Sequence, residues 1–406
     1  MISRNQFTEQ LSRSIGLPLV KVLTGIRRCG KSSVLALFHE SLLAKGIDAG
    51  RILRVNMESL EFDGYRDYRS LYRFVKERLP AGGHFLLDEA QEVEGWERLV
   101  ASLLAEGQIE TVVTGSNASL LASELGSLLT GRFLEIPIYP LSFPEYLTFA
   151  NKPESEAASS LGKYLRWGGF PALHSFNNDE EAIRSYLLTL LDSIIYRDVI
   201  GRHGIRDPDG LNRVLSFALD NIGNMTSARR ISDYLKSQRR VLSTDSAVNY
   251  LHYLVDAFVL YRARRYDIKG KLHLDYSEKY YASDLGLRFG LLGWRPDDIS
   301  GLVENAVYLE LRRRGFQISV GRIGSAEVDF VAQRQGEFRY YQACAALSDP
   351  ATIEREFSAL EAIGDHWPKA IIVMNPGPLG GRSGIGVVTL LDFLMGRAEG
   401  QKVIGL

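Results

Sequence analysis

The chain has 406 residues, 45% hydrophobic and 24% charged, which is more than one ordinary hydrophobic core holds and leaves no tail that is disordered by composition. Its 48 basic and 49 acidic residues nearly cancel, so overall charge exerts no pull toward nucleic acid and any such contact must be local. Cys29 and Cys344 offer no disulfide framework or zinc spacing, and no apolar run approaches the roughly 18 to 20 residues that span a bilayer. Without a signal-peptide layout at the start, a cytoplasmic protein with no membrane partner is expected.

The first chemical signal is VKVLTGIRRCGKSSVLALF, residues 20–38. A β-branched run leads into a glycine loop, and a helical pattern follows from Ser32. Residues 25–32 spell GxxxxGKS, a spacing that lets the backbone curl until its N–H groups face phosphate oxygens at the positive end of a helix. The nucleotide-binding candidates are therefore Gly25, Arg28, Cys29, Gly30, Lys31, Ser32 and Ser33. Lys31 would reach the β- and γ-phosphates of ATP, and the Ser32 hydroxyl would ligate Mg²⁺.

Next comes HFLLDEAQ, residues 84–91, a buried strand that delivers Asp88 and Glu89 at its carboxyl end, where parallel sheets bind ligands. Asp88 would hold Mg²⁺ through water, and Glu89 would take a proton from the water attacking the γ-phosphate. A third strand, TVVTGSN, ends in Ser116 and Asn117, which suit a group that senses the γ-phosphate or orients water beside it. Arg132 is a candidate arginine finger, and Arg197 a weaker one.

GIRRCGKS, LLDEAQ, TGSN, LTGR followed by PLSFPEYL, and WGGFP at 167–171 together resemble the predicted prokaryotic AAA-type P-loop ATPases that carry a C-terminal domain of unknown function. The resemblance covers nearly the whole chain. It implies an α/β fold with an ATP-binding AAA core, a helical lid, a winged helix-turn-helix and a restriction-endonuclease-like C-terminal domain. It implies little about biological role.

Between about 161 and 200 the pattern is helical and leucine-rich, interrupted at WGGFP, and GRHGIRDPDG at 201–210 reads as a linker. Three helices are then expected in LNRVLSFALDNIG, SARRISDYLKSQ and TDSAVNYLHYLVDA, capped at Thr226 or Ser227 and at Ser243 or Thr244. In the third, Val248, Leu251, Leu254 and Val255 are expected to face a core. FVLYRARRYDIKGKLHLDY alternates like a hairpin bearing Arg262, Arg264, Arg265, Lys269 and Lys271. This is the layout of a winged helix, in which the third helix enters the DNA major groove and the wing contacts phosphate; packing domains together or binding a protein partner is the alternative use, and a homo-oligomer is a further candidate partnership of the chain.

Toward the end, GLVENAVYLELRRRG reads as a helix, followed by strands through EVDFVAQ and FRYYQACAAL, the helix TIEREFSALEAIG and the strand PKAIIVM. Nuclease-like cores of this order hold a metal with a helix acid, a strand Asp, and an acid followed two residues later by lysine. Glu304 and Asp329 match the first two positions, but Gln342 stands for the second acid and Cys344 for the lysine. A thiol cannot replace an ammonium, so a degenerate site is expected, with Glu327 as a substitute acid and Lys369 as the nearest spare ammonium. The expected divisions are 1–150 for the ATPase core, 151–204 for the lid, 205–295 for the winged helix and 296–406 for the nuclease-like domain.

Overall fold

The computed structural model describes residues 2, 4–117, 129, 131–375 and 380–397, apart from the side chains of 275 and 276. It divides into two compact units: residues 1–140 with 256–258, and residues 141–255 with 259–406.

In the first unit, five parallel strands, β1 (Val20–Thr24), β2 (Ile52–Asn56), β3 (Gly83–Asp88), β4 (Ile109–Gly115) and β5 (Phe133–Pro137), lie in the order β2-β3-β4-β1-β5. β1 and β3 are buried at every position, as strands covered on both faces should be, and the buried Lys21 of β1 is paired with Glu110 of β4. Helix α1 (Asn5–Arg13) buries Phe7 and Leu11, and α2 (Lys31–Ala44) follows β1. From α3 (Tyr68–Arg78) and α4 (Trp96–Glu106), Leu71, Val75, Leu99 and Leu103 join Val55, Phe85 and Leu87 in one core. Each such side chain contributes about 1.5–3 kcal/mol of burial. Because every strand points the same way, the exits of β1, β3 and β4 share one edge of the sheet, and the ligand site is built there.

The second unit opens with α5 (Phe143–Phe149), α6 (Ala157–Trp167) and α7 (Glu180–Ile194), which runs on as a π-helical turn over Ile195–Gly201. Then come α8 (Pro208–Asp220), β6 (Met225–Thr226), α9 (Ala228–Ser237), α10 (Thr244–Asp256), β7 (Leu260–Asp267), β8 (Leu272–Ala282) and α11 (Leu285–Leu292). The last stretch holds α12 (Ile299–Arg313), β9 (Gln317–Ile323), β10 (Ala326–Arg334), β11 (Glu337–Ala346), α13 (Pro350–Glu361), β12 (Lys369–Asn375), β13 (Gly386–Thr389) and α14 (Leu390–Leu394). All of its strands form a single sheet ordered β13-β12-β11-β10-β9-β7-β8-β6.

That sheet changes the expected partition. The first unit ends at 140 rather than 150, and the segments anticipated as lid, winged helix and nuclease-like domain belong to one compact unit. β9, a strand absent from the sequence expectation, pairs in parallel with β7 and so carries the hairpin β7–β8 into the C-terminal sheet. The anticipated linker at 201–210 is also packed: His203 stacks on Tyr253 at 3.8 Å between ring centroids, and the Tyr250 hydroxyl donates to the Asp207 carbonyl at 3.3 Å. The WGGFP turn is held by Asp284, which accepts from the Gly169 N–H at 2.7 Å and the Gly286 N–H at 2.8 Å. Burial pushes that carboxyl up to about 7.

Ser227 and Ser243 make the anticipated caps, accepting from the N–H groups of Arg230 and Ser246. In α10 the buried face is Ala247, Tyr250, Leu251 and Leu254, whereas Val248 is 51% exposed. The apolar stripe is offset by one position, because Tyr250 supplies a large apolar body where Val248 was expected. Among the described residues no helix is long and apolar enough to cross a membrane.

Candidate nucleotide site and a buried lysine–carboxylate cluster

The loop between β1 and α2 needs its glycines. A Cβ on Gly25 would lie 2.1 Å from the Ile138 carbonyl oxygen, and Gly30 caps α2 with φ 105°, a region that side-chain-bearing residues avoid. Arg28 also has positive φ, at 66°, and is exposed. Cys29 lies inside the curl: its Sγ faces the Ile138 carbonyl at 3.2 Å, and burial raises its thiol pKa, so it packs the loop as an uncharged side chain. Arg4, which carries no local motif, braces this curl by donating to the Cys29 carbonyl at 3.1 Å and the Tyr139 carbonyl at 3.0 Å.

Lys31 is buried and its Nζ donates to the carbonyls of Gly25 at 2.9 Å and Ile26 at 3.3 Å. Ser32 and Ser33 are exposed on the first turn of α2. Ser32 Oγ donates to Asp88 Oδ1 at 3.1 Å, and Thr114 Oγ1 donates to the same oxygen at 2.7 Å. Burial raises the Asp88 pKa, partly offset by these two hydroxyls. A hydroxyl and a carboxylate oxygen facing each other at the helix start are the hard donors that Mg²⁺ takes, so the residues present fit that ion.

Glu89 sits just past β3 in the left-handed region at φ 56°, where a non-glycine residue stores about 1–3 kcal/mol of strain. Its N–H is fixed by Thr114 Oγ1 at 2.9 Å, and its carboxylate accepts from Gln91. Thr114 therefore positions both acids from the neighbouring strand. Its signal in the sequence is a threonine that directly follows Val112 and Val113 at the end of a buried strand. Ser116 and Asn117 are buried at the exit of β4, on the same edge.

Arg132 is not brought to this edge. It precedes β5, and its carbonyl accepts from the Val20 N–H at the entry of β1, so the five residues of β1 separate it from the loop by about 16 Å at the usual strand rise. Strand direction thus removes it from its own chain's phosphate site. Arg197 is exposed on the π-helical turn of the second unit.

In that second unit the C-terminal acids do converge, on a lysine the sequence expectation missed. Lys279 Nζ, from β8, lies 2.9 Å from Glu304 Oε1 of α12, 2.8 Å from Glu327 Oε1 and 3.0 Å from Asp329 Oδ1 of β10. Burial opposes its charge, but Asp329, Glu304 and Glu327 outweigh it and hold the ammonium pKa well above its ordinary value. Glu304 also accepts from the Tyr281 hydroxyl at 2.7 Å. Its carboxyl is pushed up to about 8 by burial and by Asp329, against the pull of Lys279 and Tyr281.

Gln342 does not face the cluster as a free donor. Its Oε1 accepts from the Asp329 N–H at 2.7 Å and its Nε2 donates to the Glu327 carbonyl at 3.2 Å, fastening the irregular stretch of β10 between Val328 and Val331. Cys344 stays a thiol, with burial pushing it up to about 12. Lys369 is tied to the carbonyls of Ile363 and Asp365 and takes no part. The ammonium lies where the three carboxylates meet, and among the described residues no group of three or more His, Cys, Asp or Glu side chains is placed to hold a metal ion. As arranged, these residues do not fit a divalent cation.

Residues 18–147 match an AAA domain family and residues 158–298 a domain of unknown function, DUF8612. An uncharacterised protein of Haemophilus influenzae is 35% identical over 400 residues, covering 97% of this chain and 99% of its own length. One from Methanocaldococcus jannaschii is 28% identical over 373 residues, 86% of this chain and 81% of its own. Among solved structures, the Walker-type ATPase PABY2304 of Pyrococcus abyssi matches with a TM-score of 0.50 at 16% identity, over 72% of this chain and 96% of that one, a likeness of fold. The chain belongs to the family of the Haemophilus influenzae protein, and its first unit carries an AAA P-loop ATPase domain.

Proposed function

We propose that the protein binds ATP with Mg²⁺ and hydrolyses it, and that the hydrolysis drives a conformational switch or an activity on DNA. The observation that carries this is Asp88 Oδ1, held by Ser32 and Thr114 at the mouth of the phosphate loop with Glu89 next to it. Loop N–H groups and the start of α2 receive the phosphates. Lys31 exchanges its two carbonyl partners for phosphate oxygens. Ser32 and, through water, Asp88 would hold Mg²⁺, which would supply neutralisation of phosphate charge. Glu89 accepts the proton of the attacking water while Ser116 and Asn117 orient it. As an arginine finger, Arg132 would serve the site of a neighbouring copy.

For the second unit, the order helix, short strand, two helices and hairpin, with β6 pairing β8, supports a winged helix-turn-helix. The helix acid Glu304 and strand acid Asp329 support a nuclease-like domain. Lys279 and Gln342 make that domain degenerate, so that it binds without cutting. A slower, ATP-responsive DNA-binding regulator is the alternative for the whole chain.

Lys31→Ala is expected to abolish ATP binding, measured with a fluorescent nucleotide. Glu89→Gln should keep binding and lose turnover by about 10²–10⁴-fold. Unchanged turnover in both variants removes the ATPase reading, and wild-type binding without turnover favours the regulator. DNA incubated with Mg²⁺ or Mn²⁺ should remain uncut; nicking that disappears in Asp329→Ala would make the second unit a nuclease.

A further inference from the structure

The second unit contains a cavity of about 270 Å³, away from the lysine cluster, walled by Arg262, Arg264 and Tyr266 of β7, His273 of β8, Arg312 of α12 and Phe338 of β11. Residues 262, 264 and 266 reach it together because they are two apart along one strand. Arg262 and Arg264 are exposed, and Glu278 faces Arg262 loosely, at 3.8 Å. Arg312 is steadied over the Tyr261 ring, 5.1 Å from its centroid. Three guanidinium forks converging on one concavity suit an anion with several oxygens, above all phosphate.

The cavity also has aromatic walls. The Tyr266 and His273 rings pack 5.3 Å apart, and Phe338 belongs to the same lining. Beyond it, the exposed turn between β7 and β8 carries Lys269 and Lys271, so the basic track continues farther than a free phosphate needs. By contrast α10, the helix that the sequence pattern sends into a DNA major groove, contains no lysine or arginine and carries Asp245 and Asp256. Phosphate contact has to come from elsewhere.

We propose that this cavity binds single-stranded nucleic acid, with Arg262, Arg264 and Arg312 on phosphates and Tyr266, His273 and Phe338 against an unstacked base or sugar. A positive groove with stacking faces is how strands are held without sequence preference, and a base paired within a duplex could not enter the concavity. The proposal deepens the DNA-directed part of the function proposed above and rests on it.

The test uses the full chain and a fluorescein-labelled 20-nucleotide single strand, with binding followed by anisotropy between 50 and 200 mM KCl. In the double variant Arg262→Ala, Arg264→Ala the slope of log affinity against log salt should fall by about 1.4, two contacts at about 0.7 each. Tyr266→Ser should weaken binding roughly tenfold at an unchanged slope, because stacking, not charge, is lost. Circular dichroism melting establishes that each variant is folded, and if the double variant is not, Arg312→Gln replaces it with an expected slope change of about 0.7. Unchanged affinity and slope in folded groove variants, or a stronger preference for duplex, overturns this proposal alone. Failure of the wild type to bind any nucleic acid removes it together with the DNA-directed reading.

Discussion

Lys31 and Lys279 are both buried lysines, yet their surroundings prepare them for opposite uses. Lys31 rests on two neutral carbonyls, of Gly25 and Ile26, and those contacts can be exchanged for phosphate oxygens at small cost, since neutral hydrogen bonds contribute only about 0.5–1.5 kcal/mol net. Lys279 is enclosed by Glu304, Glu327 and Asp329, and its charge is already matched by the protein. A cation facing neutral acceptors is held ready for an anionic ligand, whereas one facing three carboxylates is part of the framework.

Substituting the second lysine tests that contrast most severely. Lys279→Met is expected to destabilise the second unit by about 3–5 kcal/mol, because it leaves buried carboxylates without their cation. Lys31→Ala should abolish ATP binding while changing the stability of the nucleotide-free protein far less. Denaturant unfolding of both variants checks the pair, and equal small effects would erase the distinction. A smaller effect, about 1–3 kcal/mol, is expected for Gln342→Glu. That change keeps an acceptor for the Asp329 N–H but removes the donor to the Glu327 carbonyl and adds an acid beside Asp329. If the variant is as stable as wild type, Gln342 is not what fastens β10.

The two sites also differ in how far the sequence exposes them. The phosphate loop is contiguous: Gly25 to Ser32 must be neighbours in the chain for the backbone to curl, so the whole device can be read in eight letters. Asp88 and Glu89 are legible because the strand that ends in them lies about 60 residues after the phosphate loop; a strand ending in two acids is common by itself. Thr114 and Arg4 are not, since their roles depend on which strand lies beside which. The lysine cluster draws on β8, α12, β10 and β11, and local pattern places Glu304 and Asp329 on the right elements without revealing the partner. Lys279 is hidden at the edge of an aromatic run, KYYA. Its one local clue is a lysine next to Tyr280 and Tyr281 at a buried strand position, which requires a counter-charge from elsewhere. The sheet that runs across the expected division at 295 is hidden for a related reason: β9 joins β7 through pairing between segments some fifty residues apart, which neither periodicity nor turn signals report.

The mildest way to sharpen the comparison is through pH. Burial and Asp329 raise Glu304 from 4.5 to about 8, so the folded chain holds that proton more tightly than the unfolded chain does. Its contribution to stability is therefore complete below about 4.5 and is lost as pH rises through about 8, with a slope of at most about 1.4 kcal/mol per pH unit. Asp284, raised from 3.8 to about 7, acts in the same sense but is exhausted earlier, leaving the interval from about pH 7 to 8 to Glu304. Glu304→Gln keeps the shape of the side chain and cannot titrate. Hydrogen exchange of the amides in the eight-stranded sheet, measured under denaturant across that interval, should show stability falling in the wild type and nearly level in the variant. Equal slopes would mean that Glu304 stays ionised beside Lys279, the ammonium then holding three full negative charges and the cluster being a purely ionic lock.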